Sequence, residues 1–459
     1  MFNNIILNTD SYKSSHYLQY PPSSEYVSSY IEARGGEFPE HVFFGLQIFI
    51  KTYLLRPITQ QDIDEAEAII TAHGEPFNRS GWQYILDTYE GKLPVEIAAL
   101  PEGKVIPTGT ALVQLVNTDP HLVWLTSYLE TALLRAIWYP TTVATISWRI
   151  KQAIRQALVT SSEQVEEQLP FKLHDFGARG VSSMESAAIG GLAHLVNFKG
   201  TDTLSAILTA RRYYAEEMAG FSIPAAEHST ITSWGKVHEV DAYKNMLQQF
   251  AKPNSLVAVV SDSYDIYHAV TEIWGKQLKQ DVIDSGATLI IRPDSGDPKT
   301  VVLEVLDRLW DTFGGKINAK GYKVLADCVR VIQGDGVNEQ SIRDILDGTL
   351  AAGFSADNIA FGMGGALLQQ ADRDTLSFAM KASAISTQGH WMDVFKDPIT
   401  DKGKRSKKGR LAVIETDQGI KTIRYEQLKE QMNLLQPVYR NGVLLREYTL
   451  QQVRELSDG

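Results

Sequence analysis

Short apolar runs alternate with segments of helical periodicity through the middle of the chain. Most of these runs end at glycine, arginine, histidine or aspartate, and they lie at residues 171–177, 195–202, 221–224, 256–260, 288–291, 329–332 and 359–361. Continuous apolar runs of this length are typical of strands in parallel sheets, because helices cover both faces of such a sheet. The alternation therefore predicts an α/β barrel with parallel strands. A doubly wound open sheet has the same periodicity and stays open as the alternative.

The run at residues 288–291 indicates where a ligand would bind such a fold. Pro293 has no N–H group and cannot continue a central strand, so the strand is expected to end near Arg292. Residues 297–298 (Asp-Pro) suit the N-cap and first position of a helix. Arg292 and Asp294 are consequently placed at the carboxyl end of a buried strand, the edge where α/β folds bind ligands. An Arg–Asp pair that only fixes a turn is the alternative interpretation.

The two ends of the chain mix short strands with helices. A polar, acidic stretch at residues 161–170 marks the most plausible boundary, and polarity returns after residue 370. We therefore predict a discontinuous α+β domain of residues 1–165 and 376–459, and a barrel domain of residues 166–375. Within the end segments the pattern predicts a β-meander at residues 93–116, helices at 122–136 and 143–158, and a hairpin turn at 440–442.

Composition and charge narrow the class of protein. The 459 residues are 44% hydrophobic and 22% charged, as in ordinary globular proteins, and the net charge of −11 argues against nonspecific nucleic-acid binding. Cys328 is the only cysteine, so no internal disulfide forms and a reducing compartment is expected. The chain start has no basic n-region, and no apolar run approaches the roughly 18 residues that span a bilayer. We expect a cytoplasmic protein with no membrane or nucleic-acid partner.

Four carboxylates lie at or just beyond predicted strand ends: Asp202, Asp262, Asp294 and Asp335. Each one alone is more simply a turn former. Grouped at one barrel edge they repel each other unless cations or hydroxyl donors join them. A Mg²⁺ ion that bridges to phosphates, or a ribose diol, would satisfy them.

Basic residues near the same edge suggest a small polyanionic ligand. They are Arg179, Arg292, Arg373 and a basic loop at residues 402–410, although a solvated loop is the commoner role of such a charge run. The glycines at 364–365 would let backbone N–H groups approach a phosphate.

His228 opens a predicted helix after a strand end. A lone histidine is more often structural, but beside a phosphate site it could transfer protons or accept a phosphoryl group. No H-x-H, H-E-x-x-H or C-x-x-C pattern occurs, so a zinc site is not expected.

Longer motifs carry a resemblance to a known family. They lie at residues 9–13 (Thr-Asp-Ser-Tyr-Lys), 174–180 (His-Asp-Phe-Gly-Ala-Arg-Gly), 197–203, 224–230, 261–265, 291–296 and 333–336. In order, from about residue 6 to residue 410, the chain resembles nicotinamide phosphoribosyltransferase. The resemblance implies synthesis of nicotinamide mononucleotide from nicotinamide and phosphoribosyl pyrophosphate, with Mg²⁺ as cofactor. It also implies ATP as co-substrate through a phosphorylated histidine, an irregular α/β barrel with a second domain, and a homodimer with shared active sites.

The resemblance assigns residues to these roles. Phe176 and Tyr12 of the partner subunit would stack on nicotinamide, Asp202 would accept from the carboxamide NH₂ group, and Arg292 would approach the carbonyl. The ribose hydroxyls would be held by Asp294, Gly334 and Asp335. Asp262 and Asp294 would lie near Mg²⁺ and pyrophosphate. The 5′-phosphate would be bound by Gly364 and Gly365, together with Arg34, Arg373 and Lys381 of the partner subunit. The remaining predicted contacts are Arg179, Lys396 and Lys404 for pyrophosphate and nucleotide phosphates, His228 as phosphoryl acceptor, and Ser222 and Asp10 as further substrate-binding residues.

Three positions depart from the pattern of the animal enzymes. Ala178 stands in place of tyrosine, and Ala258 and Met363 stand in place of serine. None of these changes removes a residue with an assigned chemical role.

Rival functions remain. A nicotinate phosphoribosyltransferase is the nearest, but Asp202 suits an amide donor and would repel a second carboxylate. A metal-dependent barrel hydrolase or aldolase would need a His/Glu metal cluster that the sequence lacks. A non-enzymatic binding protein on the same scaffold is the third alternative.

Overall fold

The computed structural model describes residues 4–400 and 405–459. Its strands are β1 Ser24–Ala33, β2 Glu40–Val42, β3 Val95–Ala99, β4 Val105–Pro107, β5 Ala111–Asn117, β6 Leu173–Asp175, β7 Gly200–Thr201, β8 Leu256–Val260, β9 Thr288–Arg292, β10 Gly315–Ile317, β11 Lys323–Leu325, β12 Val329–Gln333, β13 Ile359–Met363, β14 Phe378–Thr387, β15 His390–Asp393, β16 Leu411–Thr416, β17 Gly419–Arg424, β18 Gln436–Arg440 and β19 Val443–Leu444. Its α-helices are α1 Leu46–Phe49, α2 Gln60–His73, α3 Arg79–Tyr89, α4 Leu125–Tyr128, α5 Glu130–Ser161, α6 Val165–Gln168, α7 Met184–Leu195, α8 Leu204–Tyr214, α9 His228–Thr232, α10 Glu239–Phe250, α11 Ile266–His268, α12 Lys279–Ser285, α13 Pro298–Phe313, α14 Glu339–Ala351, α15 Gly365–Leu368 and α16 Leu450–Asp458. None of the described helices combines the length and the apolar composition that a bilayer-spanning segment needs.

The chain divides into two compact units. The end unit consists of Met1–Thr145, Arg212–Glu216 and Asp372–Gly459, and the barrel unit consists of Ile146–Arg211 and Glu217–Ala371. Both chain ends therefore belong to one discontinuous unit, as the predicted fold class requires.

The end unit is built on an antiparallel sheet with the strand order β15-β14-β1-β5-β3-β18-β19. The predicted meander at residues 93–116 is wrong, because β3 pairs directly with β5 while β4 pairs with β2 in a separate small sheet. Gly103 and Gly109 both have positive φ angles, and turns at these glycines lead the chain out of the main sheet and back. The predicted hairpin turn is confirmed, since Asn441 and Gly442 have φ angles of 47° and 84° between β18 and β19.

The barrel unit contains a parallel sheet with the order β7-β6-β13-β12-β9-β8. The segment 221–225 pairs with both of its edges: Phe221 bridges to Gly200 in β7, and Ala225 bridges to Ala258 in β8. The sheet is therefore closed on itself, through a segment that forms only isolated bridges. This confirms the irregular α/β barrel and excludes the doubly wound open sheet.

Two helix predictions have different outcomes. Helix α13 starts at Pro298 after Asp297, whose side chain accepts a hydrogen bond from the Thr300 N–H group, as the N-cap pattern predicts. The separate helices predicted at residues 122–136 and 143–158 are instead largely joined in α5, which continues through Pro140.

Candidate active site

The ends of the parallel strands bring the predicted residues of the barrel unit to one edge. Val260 of β8 lies beside Arg292 of β9, and Met363 of β13 lies beside Asp175 of β6. Parallel strands in register finish at the same level, so the residues that follow them surround one space. Asp262, Asp294, Gly334, Gly364, Phe176 and Asp202 each lie one or two residues beyond a strand end.

Asp262 is the buried acid of the site. Its side chain is 3% exposed, and its Oδ2 atom accepts hydrogen bonds from the Asp294 N–H group at 2.8 Å and the Ser295 hydroxyl at 2.6 Å. Its Oδ1 atom has no hydrogen-bond partner among the described residues, although it is buried. A buried carboxylate oxygen without a donor is costly, so a cation or a donating ligand is expected beside it.

His228 lies next to this carboxylate. Its Nδ1 atom is 3.0 Å from the Ser263 hydroxyl, and its Nε2 atom is 3.3 Å from Asp294 Oδ2 and 3.7 Å from Asp262 Oδ1. Because carboxylate oxygens only accept hydrogen bonds, the neutral ring is expected to carry its proton on Nε2. The lone pair of Nδ1 then faces Ser263.

Arg292, Asp294 and Phe176 face a common point beside Gly334. A methyl group built on Gly334 would be 3.4 Å from Asp294 Oδ1, 3.6 Å from Phe176 Cε2 and 3.7 Å from Arg292 Cδ. The Arg292 guanidinium lies 3.4 Å from Asp294, and its buried Nε atom has no hydrogen-bond partner among the described residues. A ligand with an acceptor group at this point would complete the hydrogen bonding of the arginine.

A cavity of about 570 Å³ opens beside this cluster within the barrel unit. Phe176, Asp202, Ser222 and Arg292 line it together, with the apolar Ala258 and Ile290. The Ser222 hydroxyl donates to Asp202 Oδ1, which fixes the carboxylate. A cavity with apolar walls, an aromatic ring, a carboxylate and a guanidinium fits a flat ring that carries an amide.

The cavity also contains charged residues that sequence reasoning missed. Lys172 is buried and donates to the carbonyls of Asp357 at 2.9 Å and Ile359 at 3.1 Å. Burial lowers the pKa of Lys172 to about 7. Arg330 lies on the same lining and donates to the carbonyls of Leu325, Ala326 and Val329. The available signal was a basic residue beside or within an otherwise apolar strand, since Lys172 directly precedes β6 and Arg330 lies in β12.

Other predicted residues of the barrel unit lie in turns after the strands. Arg179 is exposed in the 3₁₀ turn Ala178–Gly180, and Asp335 is exposed after β12. Gly365 starts α15, and a methyl group built on it would meet nothing within 4 Å. Open space at this glycine is compatible with a close approach by a phosphate group.

The remaining predicted contacts belong to the end unit. Tyr12 is 54% exposed, and Asp10 accepts a hydrogen bond from the Thr131 hydroxyl at 2.6 Å. Arg34 donates to the carbonyl of Ser377. Each of these residues is therefore held by, or exposed on, its own unit.

Three further basic residues of the end unit differ in exposure. Arg373 is exposed and pairs with Asp374, and Lys396 is exposed. Lys381 is partly buried, which lowers its pKa. Lys404 lies outside the described residues.

Comparison with known proteins identifies the family. A curated nicotinamide phosphoribosyltransferase from Xanthomonas campestris pv. campestris is 57% identical over 462 aligned residues, which cover 99% of this chain and 98% of that protein. The chain belongs to the nicotinamide phosphoribosyltransferase family. A nicotinamide phosphoribosyltransferase from Acinetobacter baylyi is 33% identical, over 97% of this chain and 95% of that protein. This chain is accordingly a phosphoribosyltransferase.

Two family descriptions match separate parts of this nicotinamide phosphoribosyltransferase family member. Residues 4–97 match the N-terminal domain of nicotinamide phosphoribosyltransferase, and residues 171–443 match the nicotinate phosphoribosyltransferase (NAPRTase) family.

Solved structures support the fold. The nicotinate-nucleotide pyrophosphorylase from Pyrococcus furiosus superposes with a TM-score of 0.64 at 18% identity, over 100% of this chain and 95% of that chain. Human nicotinic acid phosphoribosyltransferase superposes with a TM-score of 0.59 at 16% identity, over 98% and 92%.

Proposed function

We propose that this phosphoribosyltransferase makes nicotinamide mononucleotide and pyrophosphate from nicotinamide and phosphoribosyl pyrophosphate, in the salvage of NAD. The observation that carries the proposal is the carboxylate of Asp202 in the cavity that Phe176 and Arg292 also line. The full-length similarity to proteins named nicotinamide phosphoribosyltransferase supports the same substrate.

Asp202 favours an amide over an acid. Ser222 donates to its Oδ1 atom, so Oδ2 remains to accept from the NH₂ group of a carboxamide. Nicotinate would bring a second carboxylate to this position, and two like charges would repel each other. Arg292 on the same lining would donate to the amide carbonyl.

The reaction needs no general base. The bond between C1 of the ribose and the pyrophosphate oxygen breaks, and its electron pair leaves with pyrophosphate. The lone pair of the pyridine nitrogen forms the new bond to C1. Phe176 would orient the ring for this attack, and Asp294 would hold the ribose hydroxyls, so the protein acts by positioning and by electrostatics.

Asp262 and Asp294 suit a Mg²⁺ ion. The free Oδ1 atom of Asp262 is an oxygen ligand of the type that Mg²⁺ prefers. No group of three or more acidic, histidine or cysteine ligands occurs in the described part of the chain, so the ion would take its other ligands from water and substrate phosphates. When bound, it would stabilise the charge on the departing pyrophosphate.

We further propose that His228 accepts the γ-phosphoryl group of ATP. The Nδ1 lone pair would attack the γ-phosphorus, the bond to the bridging oxygen would break, and ADP would leave with the electron pair. Asp294, close to Nε2, would stabilise the positive charge of the phosphorylated ring. ATP as co-substrate rests on this step.

The homodimer and the cytoplasmic location stay predictions from the sequence. In the proposed dimer, Tyr12 of the partner subunit would stack on the face of nicotinamide opposite Phe176. The partner subunit's Arg34, Arg373 and Lys381 would bind the 5′-phosphate.

The test is product formation by the purified protein. With nicotinamide, phosphoribosyl pyrophosphate and Mg²⁺ we expect nicotinamide mononucleotide, faster with ATP and lost on chelation of Mg²⁺. Absence of mononucleotide under all these conditions would contradict the proposal.

A further inference from the structure

Phe176 follows β6, but its ring extends past the neighbouring strand. In the closed sheet, β13 lies between β6 and β12. A methyl group built on Gly334, the first residue after β12, would nevertheless be 3.6 Å from Phe176 Cε2. The ring therefore crosses β13 to reach the end of β12.

The crossing takes place at Gly362. This glycine lies beside His174 in the pairing of β13 with β6, two residues before Phe176. A methyl group built on Gly362 would lie 1.9 Å from Cε2, 2.2 Å from Cδ2 and 2.7 Å from Cζ of Phe176. Carbon atoms in contact need about 3.5–4.0 Å, so the observed ring position requires glycine here.

Neighbouring contacts leave the backbone little room to adjust. β13 pairs with β6 on one side and with β12 on the other. The Phe176 N–H group donates to the carbonyl of Met363 at 3.0 Å, and this hydrogen bond holds the backbone of Phe176 against β13. Gly362 does not have a positive φ angle, so its backbone conformation alone would accept alanine.

We propose that Gly362 is a positioning residue that places the Phe176 ring beside Arg292 and Asp294 and thereby sets the affinity for the aromatic substrate. A methyl group at position 362 would move the ring and would spare the reacting groups. The choice of nicotinamide as that substrate rests on the proposed function.

The test is a double-mutant cycle with Gly362→Ala and Phe176→Ala. In the protein with Phe176, Gly362→Ala should raise KM for nicotinamide about two- to tenfold, the range that an aromatic stacking contact supports. KM for phosphoribosyl pyrophosphate should stay near the wild-type value. In the Phe176→Ala background, Gly362→Ala should have no further effect, because the ring with which it clashes is absent.

Gly275→Ala is the matched control. A methyl group there would lie 2.7 Å from Cγ2 of Thr312, so it clashes with a different side chain of the barrel unit. Phe176→Ala should not cancel the effect of Gly275→Ala on the melting temperature. Equal cancellation in both cases, or an unchanged KM in Gly362→Ala, would overturn the proposal.

Two measurements keep the test independent of folding and of activity. If Gly362→Ala lowers the melting temperature, it should not lower it further in the Phe176→Ala background, and an equal decrease there would overturn the proposal. Crystal structures of wild type and Gly362→Ala read the ring position directly, even if no mononucleotide is formed and the proposed function fails. An unmoved ring in Gly362→Ala would overturn the positioning role.

Discussion

Asp202 and Ser222 present a fixed carboxylate to the cavity, and the proposed function assigns to this pair the choice between an amide and an acid. Asp202→Ser should lower kcat/KM for nicotinamide and relax the exclusion of nicotinate. An unsatisfied amide donor costs roughly 1–3 kcal/mol, which corresponds to about one to two decades in kcat/KM. Steady-state kinetics with both substrates measures the change.

The control for this variant is Asp284→Ser, which removes the same charge from an exposed position on α12. It should leave the ratio of the two kcat/KM values unchanged. Unchanged discrimination in Asp202→Ser would mean that another residue recognises the amide.

His228 touches Ser263, Asp294 and Asp262 without filling a cavity in the core. His228→Ala should therefore keep the fold and retain slow, ATP-independent synthesis, while it loses both ATP stimulation and the phosphoenzyme. The exposed His238, paired with Asp241, provides the control variant His238→Ala. Assays with and without ATP measure the stimulation, and thermal melting checks that the variant is folded. Full ATP stimulation in a stably folded His228→Ala protein would exclude the phosphoryl-acceptor role.

At the scale of single elements, local pattern predicted the barrel strands and the places where they end. The run at residues 288–291 became β9, and Asp297 caps α13, because both features depend only on neighbours in sequence. The position of β4 depends on its pairing with β2, about sixty residues earlier in the chain, and no local signal specifies this partner.

The same limit applies inside the barrel. Gly362 and Phe176 meet through strand pairing, and periodicity alone does not distinguish a glycine that accommodates a ring from one that ends a strand. The candidate residues at the strand ends were found by their chemistry. The contact between the Phe176 ring and β13 could be found only from the pairing register of β6 with β13.

Lys172, just before β6, should make the free energy of unfolding depend on pH. Its folded pKa of about 7 is below the unfolded value of 10.5, so between these values the unfolded state binds one more proton. The free energy of unfolding should therefore rise with pH from about 7, by at most about 1.4 kcal/mol per pH unit from this group. Lys172→Met should lose this slope, which denaturant titrations between pH 7 and pH 9 would measure.

The exposed Lys276 on the barrel unit gives the matching variant Lys276→Met, which should keep the wild-type slope. A wild-type slope in Lys172→Met would show that Lys172 stays protonated in the folded protein through this range.

The whole molecule is predicted to act as a dimer in which each active site takes residues from both subunits. A Tyr12→Ala, Arg373→Ala double mutant and an Asp294→Ala mutant should each be inactive alone. Mixed dimers contain one intact site, so mixing the two proteins should restore part of the activity. If subunit exchange is verified and no activity returns, the active sites are not shared.

Substrate choice is the most direct test of the function of the whole molecule. The purified protein is supplied with equal concentrations of nicotinamide and nicotinate, together with phosphoribosyl pyrophosphate, ATP and Mg²⁺, and the mononucleotides are separated and quantified. A cavity that carries Asp202 predicts nicotinamide mononucleotide as the dominant product. Nicotinate mononucleotide as the dominant product would contradict the assignment.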